Sequence, residues 1–166
     1  MALSTFPVLN IAPAQVIRGK GILSSGDTNL GGTNLFNRLG CRPLLVGGDR
    51  SLNVALPFLS PAISSLETAT ATYQKDCSES ALASLHQAAD AHQADFIIGI
   101  GGGKALDAAK LLAYQRQLPI ATVPTSAATC AGWTALSNVY SDDGAFLYDV
   151  GLPRCPEMIV LDYDLV

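Results

Sequence analysis

The sequence predicts an α/β fold, a parallel sheet with helices on both faces followed by a C-terminal β-hairpin. Three observations lead there. Short, wholly apolar runs such as Pro43-Leu-Leu-Val and Phe96-Ile-Ile-Gly-Ile end in glycines, as strands covered on both faces do. Longer amphipathic runs stand between them. The resulting order of strand, glycine turn, helix and strand is that of βαβ units, which build parallel sheets. At 166 residues the chain is long enough for one domain with a full core and too short for two ordinary ones.

The elements follow in order. Gln15-Val-Ile-Arg-Gly reads as a first strand, ending in the turn-prone Gly19-Lys-Gly. Ser24 to Thr33, rich in Gly, Ser, Asn and Asp, reads as a loop, and Asn34 to Leu39 as the end of a short helix closed by Gly40. Pro43 to Gly48 is a buried strand that runs into glycines. Ser51 to Leu59 then reads as a helix ahead of Pro61, and Leu66 to Tyr73 as a Thr-rich strand. Ser78 caps the clearest helix, where Leu82, Leu85, Ala89 and His92 recur at helical spacing. The strand at Phe96 leads into a second strong helix, Ala105 to Gln115, and Pro119 to Val123 is another short buried strand. Beyond Pro124, three short strands are expected: Trp133 to Tyr140, Phe146 to Val150 and Met158 to Leu161. The first two can pair as a hairpin across Ser141 to Ala145, which contains Asp-Gly.

Composition narrows the function classes. Apolar residues make up 49% of the chain and charged ones 14%, and the mean hydropathy is +0.30. An ordinary soluble domain is less apolar and more charged, so either the core is large and doubly covered or a surface normally meets another domain. The net charge is −4 and no basic run occurs, which argues against nucleic acid as a partner, because phosphate backbones need clustered Lys and Arg. Pro, Gly or polar residues interrupt every apolar stretch well short of a membrane span. No basic segment leads into an apolar one at the N-terminus, so no signal peptide is expected and a cytoplasmic location is. Cys41, Cys77, Cys130 and Cys155 form no CxxC pair, so neither disulfide staples nor a zinc site made from them is expected.

Most chemical information lies in Gly99-Ile-Gly-Gly-Gly-Lys-Ala-Leu-Asp-Ala-Ala-Lys110. Gly101, Gly102 and Gly103 at the end of a buried strand let a ligand approach the backbone, because no Cβ blocks the way. The following helix directs free N–H groups and its positive dipole end at that spot, which suits a phosphate. Lys104 adds a full positive charge, and Asp107 stands one turn into the helix. Two familiar phosphate motifs do not fit. A Walker A loop requires Gly where Ile98 stands and Ser or Thr where Ala105 stands, and G-x-G-x-x-G fails at Lys104. A tight structural turn is the competing reading, and the turn by itself leaves the ligand open.

Read together with Val123-Pro-Thr-Ser-Ala-Ala-Thr-Cys-Ala-Gly-Trp-Thr-Ala-Leu-Ser-Asn-Val-Tyr-Ser-Asp-Asp-Gly144, the turn resembles the iron-containing (group III) alcohol dehydrogenase superfamily. The blocks GGGKxLDxAK, VPTxAxT and ALSxxYxxxG are closest to its glycerol dehydrogenase-like branch, and the resemblance covers nearly the whole chain. It implies a Rossmann-like, dehydroquinate synthase-like N-terminal domain over residues 1–166 that binds NAD or NADP. The resemblance gives Gly101, Gly102, Gly103 and Lys104 to the dinucleotide pyrophosphate and Asp107 to a further dinucleotide contact. It places Thr125 and Ser126 beside the adenine and ribose, and Thr134, Leu136 and Tyr140 along the nicotinamide side. Ordinary strand packing is the plainer reading for Leu136 and Tyr140.

The sequence also departs from that branch. Cys130 stands where glycerol dehydrogenases carry an Asp that binds the polyol, and Thr129-Cys-Ala-Gly-Trp-Thr resembles a sister group acting on 2-hydroxy and 2-oxo acids. A neutral Cys130 does not repel a carboxylate substrate as an Asp would. The substrate is thus expected to be a small alcohol, polyol or 2-hydroxy acid. Cofactor choice turns on whether Asp49 or Gly48 occupies the position after the second strand.

In the resembled family an Fe2+ or Zn2+ ion polarises the substrate alcohol, held by one Asp and two or three His of a C-terminal helical domain. That domain is expected to be absent from this chain. His86 and His92, six apart on one helix, are expected to face solvent and bind no metal. Two expectations follow: a dehydrogenase part that binds nucleotide but lacks turnover alone, or a stand-alone domain with a regulatory or partner-completing role. Either exposes apolar surface that favours a homo-oligomer.

Overall fold

The computed structural model describes residues 12–24, 35–73 and 76–166. Its strands are β1 (Gln15–Gly19), β2 (Pro43–Gly47), β3 (Ala69–Thr72), β4 (Phe96–Gly101), β5 (Ile120–Pro124), β6 (Leu136–Tyr140), β7 (Phe146–Gly151) and β8 (Met158–Asp162). Its helices are α1 (Asp49–Ile63), α2 (Glu79–His92) and α3 (Gly103–Arg116). The loop expected from Ser24 to Thr33 lies outside the described residues except for Ser24, as does Asn34. Residues 35–39 form a turn.

Six strands form one sheet in the order β1-β8-β5-β4-β2-β3, and every pairing in it is parallel. The pleat sorts their side chains into two cores. Leu45, Phe96, Ile98, Ile100, Ala121 and Val123 face one side, where they pack on Leu52, Ala55 and Leu59 of α1. Leu44, Val46, Ile97 and Ile120 face the other, against α2 and α3. That two-sided burial explains why these strands read as apolar without alternation. β6 and β7 pair antiparallel as a separate hairpin, with Val139 and Val150 packed into the second core. The third C-terminal strand does not join them: β8 inserts into the main sheet between β1 and β5.

At the end of β8 the buried Asp162 carboxylate accepts the N–H groups of Gly21, Leu23 and Asp164 at 2.9, 3.0 and 3.0 Å. It thereby fixes the turn after β1, a long-range tie that local sequence does not reveal.

Several element bounds differ from expectation for identifiable reasons. α1 extends from Asp49 to Ile63, so Pro61 lies inside it as Pro57 does. Both prolines are on its exposed face, where carbonyls deprived of their N–H partner can turn to water. α3 begins at Gly103 instead of Ala105, because the first turn of a helix asks for no N–H acceptor and tolerates glycine. Trp133 to Ala135 are not strand; the Trp133 N–H donates to the Cys130 carbonyl, and the Thr134 carbonyl is held by a buried lysine described below. Ser78 does cap α2, its hydroxyl accepting the Ala81 N–H at 3.3 Å.

Candidate functional site

The site begins with the chain's direction after two neighbouring strands. From β2 the chain passes through α1 on one face to the sheet edge at β3. From β4 it passes through α3 on the opposite face to β5, on the other side. The carboxyl ends of β2 and β4, paired as far as Gly47 opposite Ile100, therefore send their chains apart. Such a switch point opens a crevice, the usual ligand position in an open α/β sheet.

Glycines line this crevice for different reasons. A Cβ on Gly47 would stand 2.7 Å from the Ile100 carbonyl oxygen. Gly101 has φ +139°, and a Cβ there would stand 2.9 Å from the Ala105 Cβ and 3.1 Å from Ser51 Oγ. At Gly102 a Cβ would meet nothing within 4 Å. Gly102 is thus unconstrained by packing, and the space above it is open to a ligand.

Gly102 is also the N-cap of α3, without a side-chain cap, and the first helical bond runs from the Leu106 N–H to its carbonyl at 3.1 Å. The N–H groups ahead of Leu106 therefore have no acceptor within the helix. The start of α1 differs, because Ser51 closes it. The Ser51 hydroxyl accepts the Gly48 N–H at 3.0 Å and lies 2.9 and 3.1 Å from the Gly48 and Ile100 carbonyl oxygens, one of which receives its proton. Ser51 thereby ties the two diverging turns together. Asp49, the first residue of α1, is exposed beside it.

Lys104 sits in the first turn of α3 with its side chain half exposed. Its ammonium pairs with the Asp76 carboxylate and lies 5.3 Å from the centre of the Tyr140 ring. The hydrogen bond to Asp76 holds its pKa above the ordinary lysine value. Tyr140 in turn meets Phe146 edge-on, with centroids 6.0 Å apart, and its N–H donates to the Cys77 carbonyl at 2.9 Å. The hairpin and the segment before α2 therefore share one wall around Lys104.

The Pro124-Thr125 segment supplies the opposite wall. The Thr125 N–H donates to the Gly101 carbonyl at 3.0 Å, and Thr129 Oγ1 lies 3.1 Å from where a Gly103 Cβ would be. Ser126 is half-buried, its hydroxyl accepting the Ala128 N–H at 3.3 Å, and Cys130 is exposed.

Asp107 is placed differently from the dinucleotide contact that the resemblance implies. It is 5% exposed, with one carboxylate oxygen 3.1 Å from the Lys110 ammonium and the other accepting from the Asn138 N–H and Nδ2 at 3.3 and 3.4 Å. Lys110 is buried as deeply. It donates to the Thr134 carbonyl at 3.2 Å, to Thr134 Oγ1 at 3.3 Å and to the Leu136 carbonyl. Burial pushes its pKa down, and Asp107 opposes that shift. Thr134 is thus half-buried and tied to α3, while the Leu136 side chain is exposed.

The structure therefore gathers Gly101, Gly102, Gly103, Lys104, Thr125, Thr129 and Tyr140 around the start of α3. Thr134 and Leu136 join through Lys110, a turn and more further along. Sequence reasoning passed over Ser51, Asp76 and Lys110. Ser51, three residues after a Gly-Gly pair, and Lys110, three after Asp107, carried local signals; Asp76 carried none.

Among the described residues no three His, Cys, Asp or Glu side chains converge to hold a metal ion. Both histidines are partly exposed and take part in surface hydrogen bonds: His86 Nε2 lies 2.7 Å from Gln115 Oε1, and His92 Nε2 lies 2.9 Å from the Glu67 carbonyl oxygen. No helix among the described residues is long and apolar enough to cross a membrane.

Comparison with known proteins agrees with the fold. The family model described as iron-containing alcohol dehydrogenase matches residues 13–163. An uncharacterized oxidoreductase of Synechocystis sp. is 48% identical over 174 aligned positions, covering 100% of this chain and 43% of that protein. A glycerol dehydrogenase of Escherichia coli is 35% identical over 157 positions, covering 87% of this chain and 42% of that one. The crystal structure of a probable glycerol dehydrogenase from Sinorhizobium meliloti superimposes with a TM-score of 0.79 at 28% identity, covering 96% of this chain and 41% of that chain. The chain thus spans less than half the length of these relatives.

Proposed function

This chain belongs to the iron-containing alcohol dehydrogenase family, and from that premise we propose that its glycine turn binds the pyrophosphate of NAD or NADP as the nucleotide-binding part of a dehydrogenase. One observation carries the reading. The open space over Gly102 coincides with the uncapped start of α3 at the switch point between β2 and β4. Unpaired N–H groups and a positive helix end favour a phosphate there, and the absent Cβ lets it approach the backbone. Lys104 adds charge from the side.

The dinucleotide supplies the hydride chemistry when bound, and this chain's residues bind and orient it. Thr125 and Ser126 are proposed to line the adenine and ribose side, with Thr134, Leu136 and Tyr140 on the nicotinamide side. Asp107 acts on the dinucleotide through Asn138 and the hairpin. The substrate proposed for the whole enzyme is a small alcohol or polyol, its oxygen activated by a metal ion. The described residues assemble no metal site, so no step through a metal is assigned to them, and the chain by itself is expected to bind nucleotide without turnover.

A 2-hydroxy acid is the second substrate reading, favoured by Cys130, an exposed and uncharged group next to Thr129 at the crevice wall. Calorimetric titration of the chain with NAD and with NADP tests the main reading. Binding of either is expected, and Lys104→Ala should weaken it by about 1–3 kcal/mol, the worth of a charge-assisted hydrogen bond. No binding of either nucleotide at millimolar concentration would refute it.

A further inference from the structure

We propose that Asp76 is a positioning residue that fixes the Lys104 ammonium at the crevice before the nucleotide arrives; this rests on the nucleotide reading above. Asp76 is 8% exposed although it lies outside every helix and strand. Among the described residues, the cation paired with it is Lys104. The backbone that carries it is held by its neighbours. The Asp76 carbonyl accepts the Ser78 N–H at 2.9 Å, the Cys77 carbonyl accepts the Tyr140 N–H at 2.9 Å, and Asp76 Oδ2 lies 3.4 Å from where a Gly144 Cβ would be. The segment that carries the anion is thus tied to both the cap of α2 and the β6–β7 hairpin.

Burial decides which partner holds the other. A carboxylate removed from water and left without its cation is strongly destabilised, so Asp76 cannot release Lys104 cheaply. Lys104 therefore does not swing over to an arriving phosphate. Its ammonium stays on Asp76 and over the Tyr140 ring, and the remaining N–H donors of its three are left for the ligand. A lysine free in water would lose the freedom of four side-chain torsions on binding; here the fold has already restricted them. Asp76 contributes by order, even though its own charge is of the sign that repels a phosphate.

These two effects oppose each other, which makes the inference testable. ADP-ribose, which contains the pyrophosphate, and adenosine, which does not, are titrated into the chain carrying Asp76→Asn, Asp76→Glu, Lys104→Ala and the Asp76→Asn/Lys104→Ala pair. Asp76→Asn is expected to weaken ADP-ribose binding about tenfold and leave adenosine unchanged, with partial recovery in Asp76→Glu. In the Lys104→Ala background, Asp76→Asn should no longer weaken ADP-ribose binding, because no ammonium remains to be positioned; only the relief of the carboxylate's repulsion is left, and affinity should hold or rise. Circular dichroism and urea unfolding identify any variant that has lost its fold; Asp76→Glu, which keeps the ion pair's charges, then carries the comparison, with its ADP-ribose affinity falling and its adenosine affinity not. Tighter or unchanged ADP-ribose binding in Asp76→Asn would overturn the role of Asp76, showing the carboxylate to be only a repulsive neighbour. A wild-type chain that binds neither ADP-ribose nor NAD overturns the nucleotide reading itself, and this inference with it.

Discussion

Adjacent glycines in one turn should respond differently to the same added methyl group. At Gly101 the backbone has φ +139°, and an alanine Cβ would stand 2.9 Å from Ala105 Cβ and 3.1 Å from Ser51 Oγ. A non-glycine residue at such a φ is strained by about 1–3 kcal/mol, and overpacking adds about 1–3 kcal/mol more. Gly101→Ala should therefore lose about 2–6 kcal/mol of stability, a large part of the 5–15 kcal/mol typical of a domain. At Gly102 the backbone is extended, with φ −86° and ψ −172°, and the new Cβ meets nothing within 4 Å. Gly102→Ala should change stability by under about 1 kcal/mol, because alanine narrows the unfolded ensemble but is the poorer N-cap. Its effect belongs to binding, since the methyl enters the space assigned to the pyrophosphate. Urea unfolding of both variants measures the first quantity, and calorimetry with NAD and NADP on Gly102→Ala measures the second. A stable Gly102→Ala chain that binds nucleotide as tightly as wild type would refute the placement of the phosphate over this turn.

Three further perturbations test the surrounding structure. Lys110→Met keeps the length of a buried side chain but leaves Asp107 as an unpaired buried charge, so stability measured in urea should fall by about 3–5 kcal/mol. Converting Asp107 to Leu in the same chain should recover part of that loss, and a single Lys110→Met costing under about 1 kcal/mol would show the pair to be hydrated. Burial raises the Cys77 thiol from 9.0 to about 12. The folded state therefore keeps a proton that the unfolded state loses, and this contribution is whole below pH 9.0 and lost as the pH rises through about 12. Cys77→Ala should flatten the alkaline fall in stability. Iodoacetamide at pH 8 should label the exposed Cys41 and Cys130 before the buried Cys77 and Cys155, as read by mass spectrometry.

The layered α/β class and the glycine turn were legible because both are local in origin. Buried parallel strands read as unbroken apolar runs, and Gly101 to Lys104 interrupt one of them at a helix start. The hairpin was legible from Asp143-Gly144 between two alternating segments, and the Ser78 cap from its position ahead of α2. Even within that reach, a helix end departs from propensity where exposure overrides it, as at Pro61, because a proline on the solvent side of α1 leaves a carbonyl that water can satisfy.

By itself, the sequence of this protein determined which residues make up the turn: glycines that leave the backbone uncovered by any Cβ, followed by a lysine. Tertiary structure alone decided how those residues are used. It placed the turn at the switch point by sending α1 and α3 to opposite faces of the sheet, and it set β8 between β1 and β5 instead of beside the hairpin. It also buried the neighbouring pair Asp107 and Lys110, and turned Lys104 to Asp76, 28 positions upstream in the chain. The physical reason is common to both pairs. A buried charge must find an opposite charge, and which one it finds depends on what the fold brings within a few ångströms.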